Sequence, residues 1–133
     1  MSQENFEVVR RWIEALNRRD VATMSALWRS DGEVDWSRAR GPLKGVYRGR
    51  SEYESLLNEF FSTFEKSEVE THGFTEAGSE VVVLPHTTHF RGREGIELTA
   101  SATWVYTVEN GQITRLRLFQ EEAEALEAVG LRE

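Results

Sequence analysis

Apolar residues recur near the start of the chain at Phe6, Val9, Ile13 and Leu16, with Trp12 widening the stripe. Spacings of three and four residues predict an amphipathic helix with one buried face. Asn17 to Asp20 breaks the pattern, and Asp20 can cap a second short helix carrying Val21, Met24, Leu27 and Trp28. The turn Ser30-Asp31-Gly32 then leads into a strand from Glu33 to Ser37. Further on, Ser51-Glu52-Tyr53-Glu54 reads as a capping box, because Ser51 and Glu54 can each satisfy the other's free backbone donor. Behind it Tyr53, Leu56, Leu57, Phe60, Phe61 and Phe64 line one broad face of a third helix.

The period changes in the second half. Turn signals at Ala77-Gly78-Ser79, Arg91-Gly92 and Asn110-Gly111 bound long segments rich in valine, threonine and aromatics, which predict antiparallel strands. Alternation is cleanest where Leu98, Ala100, Ala102, Trp104, Tyr106 and Val108 face one way, and Thr99, Ser101, Thr103, Val105 and Thr107 the other. Asn110-Gly111 fits a two-residue hairpin, since both central positions need positive φ. The order is two helices, a strand, a helix, four strands and a short helix. It predicts an α+β fold in which a curved antiparallel sheet is packed by the long third helix. No linker or repeat interrupts it, so residues 1–133 are read as one domain.

Composition narrows the classes. A chain of 133 residues can bury roughly two thirds of its unfolded surface, enough for a core. It has no cysteine, which removes disulfides, thiolate nucleophiles and cysteine metal sites. There is no run of about 18 apolar residues and no signal-like N-terminus, so a soluble cytoplasmic protein is expected, with no membrane partner. A net charge of −7 argues against a nucleic-acid partner, whose backbone calls for a concentrated basic surface.

Three segments, "RRWIEALNRRDVATMSALWRSDGEVDW", "GPLKGVYRGRSEYESLLNEFF" and "YTVENGQITRLRLFQ", resemble the SnoaL-like branch of the nuclear transport factor 2 superfamily, which includes ketosteroid isomerase and limonene epoxide hydrolase. The resemblance implies a cone-shaped antiparallel sheet packed against three N-terminal helices and enclosing a pocket. It also implies that Trp12 stands where the isomerase keeps its oxyanion-stabilising tyrosine, Trp36 at its general-base aspartate and Trp104 at its second aspartate. Leu57 falls where a supporting tyrosine would be. An indole donates one hydrogen bond but accepts no abstracted proton, so isomerase chemistry by the familiar residues is not expected. What these residues supply is aromatic wall for a flat hydrophobic guest, or alternatively filler for the cone. Trp28 reads as plain core.

His86 is the polar candidate inside the cone. The resemblance puts Val82, Leu84, His86, Thr88 and Phe90 on the inward face, with the imidazole either acting as acid or base or simply satisfied by a neighbouring group. His89 falls on the opposite face and His72 has no companion ligand spacing, so neither a metal nor another cofactor is expected. Val34 and Trp36 inward would put Asp35 in solvent; a one-residue slip would bring Asp35 into the pocket. Gln120 follows Leu116 and Leu118 at a period of two, and its amide could orient a ligand's polar end beside Leu118. Tyr106 and Tyr53 are further ligand-binding candidates at rim or interior. Arg38, Arg40, Lys44, Arg48 and Arg50 could attract a carboxylate or phosphate, or be ordinary solvated charge.

Two functions fit. One is a small-molecule isomerase, cyclase or hydrolase acting on a hydrophobic substrate, with His86 as catalytic acid or base. The other is a non-catalytic dimeric module that binds a hydrophobic ligand or a protein. A homodimer is expected, because the face carrying Thr99, Ser101, Thr103 and Val105 resembles the surface that superfamily members use to dimerise.

Overall fold

The computed structural model describes residues 2–39, 43–78, 81–92 and 95–130. Arg40 and Ser79 lie outside the described residues, as does the side chain of Val82. Helix α1 (Ser2–Arg18) buries Val9, Trp12, Ile13, Ala15 and Leu16, the stripe set by its spacing. It ends where Arg19 turns to a φ of 58° and the Asp20 amide donates to the Ala15 carbonyl at 2.8 Å. Asp20 then caps α2 (Val21–Ala26), its carboxylate accepting from the Thr23 amide at 3.1 Å.

Trp28 is not part of that helix. It opens β1 (Trp28–Trp36), and the predicted turn at Ser30-Asp31-Gly32 is an irregularity within this one strand. The cause is contact with the core: Trp28 stacks on Tyr53 with ring centroids 4.3 Å apart, and Gly32 lies so close that a Cβ there would meet the Trp28 Nε1 at 2.4 Å. A short β2 (Gly45–Arg48) follows, then α3 (Gly49–Thr63).

The capping box is corrected in its particulars. Helix α3 begins two residues before Ser51, and Glu52 reaches back to accept from the Arg48 amide at 2.7 Å. Glu54 instead accepts from the Ser25 hydroxyl at 3.0 Å, tying α3 to α2. Phe64 leaves the helix and opens β3 (Phe64–Thr71), which continues through β4 (Thr75–Ala77) to the long pair β5 (Val81–Gly92) and β6 (Glu97–Glu109). The chain closes with β7 (Gln112–Phe119) and α4 (Glu122–Ala128).

Among the described residues these strands make one seven-stranded curved sheet in the order β2-β1-β7-β6-β5-β3, with β4 also pairing β5. It is mixed and not wholly antiparallel, because β1 runs parallel to β7, with Val34 beside Leu116. Asn110 and Gly111 take φ values of 52° and 78° and close the β6–β7 hairpin, as their residue types require. The helices α1 to α3 fill the concave face. On the convex face α4 packs Ala125 against Val105 and Phe119. Val105 and Thr103 are therefore buried, and only the Thr99 and Ser101 part of the predicted outer surface is exposed.

Candidate functional site

Inward residues of four strands converge beneath α1 and α3. Strand β5 contributes Leu84, His86, Thr88 and Phe90; β6 pairs Trp104 with Leu84, Ala102 with His86 and Ala100 with Thr88. The step from bulky Trp104 and Tyr106 to the two alanines leaves room beside His86 and Thr88. A chamber of about 360 Å³ occupies that room, walled by Trp36, Leu43, Phe64, His86, Phe90, Trp104, Leu118 and Gln120, among others. Deeper in the cone lies a second, apolar cavity of about 40 Å³, lined by Trp12, Leu16, Val34, Tyr53, Leu57, Val69 and Leu116 together with Trp36 and Trp104.

The predicted ligand-binding residues thus divide. Trp36 and Trp104 border both spaces, Leu118 and Gln120 the outer one, and Trp12, Tyr53 and Leu57 only the inner one. Tyr106 borders neither; it is wholly buried behind Trp104 and Trp12, with ring centroids at 6.1 and 5.8 Å. Trp12 donates its indole N–H to the Tyr53 hydroxyl at 2.8 Å, a buried pair that floors the cone. The indole nitrogens of Trp28, Trp36 and Trp104 are buried without an acceptor among the described residues.

His86 is 3 % exposed and lies against Trp104, with ring centroids 3.8 Å apart. Its Nδ1 is 3.3 Å from the Leu84 carbonyl oxygen, which can only accept, so the neutral ring carries its proton on Nδ1 and keeps a lone pair on Nε2. Burial pushes its pKa down to about 4, opposed by the bond to Leu84 and reinforced by His72. Above the acid range the ring is therefore a hydrogen-bond acceptor and not a cation.

Asp35 stays out of the chamber. With Val34 buried and Trp36 in the wall, its carboxylate accepts from the Ser37 amide at 3.1 Å and the Ser37 hydroxyl at 2.6 Å. Its pKa is lowered: burial acts to raise it, but the Ser37 bonds and the charge of Arg38 outweigh that. Among the described residues no carboxylate lines the chamber.

The basic residues are engaged elsewhere. Arg38 lies over the Phe119 ring at 4.6 Å, Arg48 pairs with Glu33 at 3.4 Å, and Arg50 donates to the Trp28 carbonyl at 3.0 Å, while Lys44 is exposed. His89 faces away from His86 and meets Glu70 at 3.2 Å. Gln120 donates to the Arg38 carbonyl at 2.8 Å, which fixes its amide at the chamber wall.

Ala39, Leu43 and Phe64 complete the mouth; nothing in the sequence marks Ala39 or Leu43 as site residues, whereas the aromatic Phe64 is expected from the sequence as a residue able to close the pocket. Leu43 sits in an irregular segment with no period to place it, and Phe64 continues the helical spacing of α3 although it opens β3. The pair Ala100 and Ala102 was the available signal for open space opposite His86.

The profile described as SnoaL-like domain matches residues 9–116. No curated protein matches the chain. Among solved structures, a nuclear transport factor 2-like protein of unknown function from Burkholderia pseudomallei is 23% identical, with a TM-score of 0.76 over 96% of this chain and 98% of that one. A putative polyketide cyclase from Xanthomonas campestris is 20% identical, with a TM-score of 0.73 over 97% of this chain and 98% of its own. A Mycobacterium tuberculosis protein solved in complex with estradiol-17β-hemisuccinate is 11% identical, with a TM-score of 0.79 over 89% and 94% of the two chains. At these identities the likeness is one of fold.

Proposed function

The chain belongs to the SnoaL-like domain family, and from that premise we propose that it binds a compact, flat, largely apolar small molecule in the outer chamber, with His86 Nε2 accepting a hydrogen bond from a hydroxyl of the guest. The observation that carries this reading is the tethered imidazole: Nδ1 is committed to the Leu84 carbonyl, which leaves Nε2 as the accepting atom of a ring that lines the chamber beside the Thr88 hydroxyl. A volume of about 360 Å³ falls within the range of roughly 300–1,000 Å³ usual for ligand sites. That a distant structural neighbour was solved with a steroid hemisuccinate supports a hydrophobic guest.

Turnover is the second reading, and it has the same lone pair in its favour. A conjugate acid with a pKa of about 4 makes His86 a poor base, however. Taking a proton from a phenol with a pKa of roughly 10 would be uphill by about 8 kcal/mol before any stabilisation of the anion. Among the described residues the chamber offers no second titratable side chain to share that work. Binding is therefore the function best supported, in a homodimer that pairs through the exposed outer face at Thr99 and Ser101, beside the half-buried Thr87.

Tryptophan fluorescence during titration with phenols, aromatic polyketides, steroids, terpene epoxides and fatty acids tests the proposal, since Trp36 and Trp104 stand in the wall. Saturable quenching by a hydroxylated aromatic class is expected, and His86→Ala should weaken that binding about tenfold, the worth of one hydrogen bond. A flat response across the panel would overturn the reading. Recovery of a chemically altered guest, abolished by His86→Ala, would replace binding with catalysis.

A further inference from the structure

The inner and outer spaces share one wall, made by Trp36, Thr88, Phe90 and Trp104. Of these, Trp104 lies between the Trp12 and His86 rings. It is 5 % exposed, meets the Trp12 ring edge-on at 6.0 Å and carries the His86 ring on its other side at 3.8 Å. Beyond it the apolar inner cavity of about 40 Å³ is too small for a ring system, since interiors pack at close to crystal density.

A guest that places its hydroxyl on His86 thus has its long axis limited by the indole next to that imidazole. The geometry points to Trp104 as the specificity-determining residue of the chamber: it holds the inner cavity apart, so that a guest with its hydroxyl on His86 extends toward the open mouth and not into the base of the cone. This inference rests on the outer chamber being the ligand site.

Two phenols of different length, 2-naphthol and estradiol, test it by calorimetry on the full chain. Trp104→Phe should raise the affinity for estradiol relative to that for 2-naphthol by about tenfold. Val69 lines the inner cavity and not the outer, so Val69→Leu should alter neither affinity in the wild-type background. Combined with Trp104→Phe, the added methylene should cancel the estradiol gain, a coupling that a nonspecific loosening of the fold would not produce.

An unchanged affinity ratio in Trp104→Phe overturns the inference and leaves the chamber reading intact. Weakening of wild-type estradiol binding by Val69→Leu overturns it too, because the guest would already reach the inner cavity. Binding of neither phenol by any form removes both readings. Should Trp104→Phe fail to fold, Phe90→Leu thins the same wall from β5 and is read in the same way.

Discussion

His86 ties the chamber to the stability of the whole chain. Its pKa falls from an ordinary 6.5 to about 4 on folding, so the unfolded state binds the proton more readily than the folded one. The sign follows: the contribution is fully present above about pH 6.5 and is lost as pH falls toward 4, flattening below that. A shift of this size is worth on the order of 3 kcal/mol. Urea midpoints measured between pH 7 and pH 4 should fall more steeply for the wild type than for His86→Gln, which has no proton to take up. Parallel curves for the two proteins would mean that the imidazole is not buried neutral.

Strand β1 makes its own prediction at the scale of the element. Gly32 touches the Trp28 indole, which is fully buried against Tyr53 and has no room to withdraw. Gly32→Ala should therefore cost about 1–3 kcal/mol through overpacking, read as a lowered urea midpoint, while Ser30→Ala on the exposed part of the same strand should change little. This element also shows where sequence stops being informative. The stripe of α1, the Asp20 cap and the Asn110-Gly111 hairpin are local, and residue type together with period discloses them. The path of β1 is not: Ser30-Asp31-Gly32 has the chemistry of a turn, and only the Trp28 and Tyr53 rings, brought together from two elements, stretch it into a strand. Strands β2 and β4 are short and find their pairing through neighbours, so no period announced them. At the site, alternation grouped Ala102, Trp104 and Tyr106 of β6 on one face, although Leu98 at the far end of that face is exposed, and the inward set of β5 came from the family resemblance. The split into two chambers depends on how Trp104 packs against Trp12 and His86, which no spacing encodes.

At the scale of the whole molecule, the fold is a cone whose base is filled and whose mouth is open. The Trp12–Tyr53 pair, Tyr106 and the stacked Trp28 fill the base, and the alanines of β6 leave the mouth. No helix among the described residues is long and apolar enough to cross a membrane. On the convex side α4 covers Val105 and Phe119 but leaves Thr87 and Ser101 in contact with each other and outside its cover. Pairing of two chains through that uncovered part should give twice the 15.3 kDa chain mass in light scattering, independent of concentration over the micromolar range. Thr99→Arg together with Ser101→Arg should return the single-chain mass by setting like charges against each other. A single-chain mass for the wild type at every concentration would remove the dimer.

The parallel alignment of β1 with β7 governs the order of events in synthesis. Val34 has to wait for Leu116, and Trp28 for Ile113, so the ribosome, adding about 5–20 residues per second, releases the first strand several seconds before its neighbour exists. Until then β1 has only the short β2 beside it. Closing so long a loop comes late and is slow. The newborn chain therefore travels with the inner edge of β1 unpaired, and the sheet is joined into one only as β7 emerges.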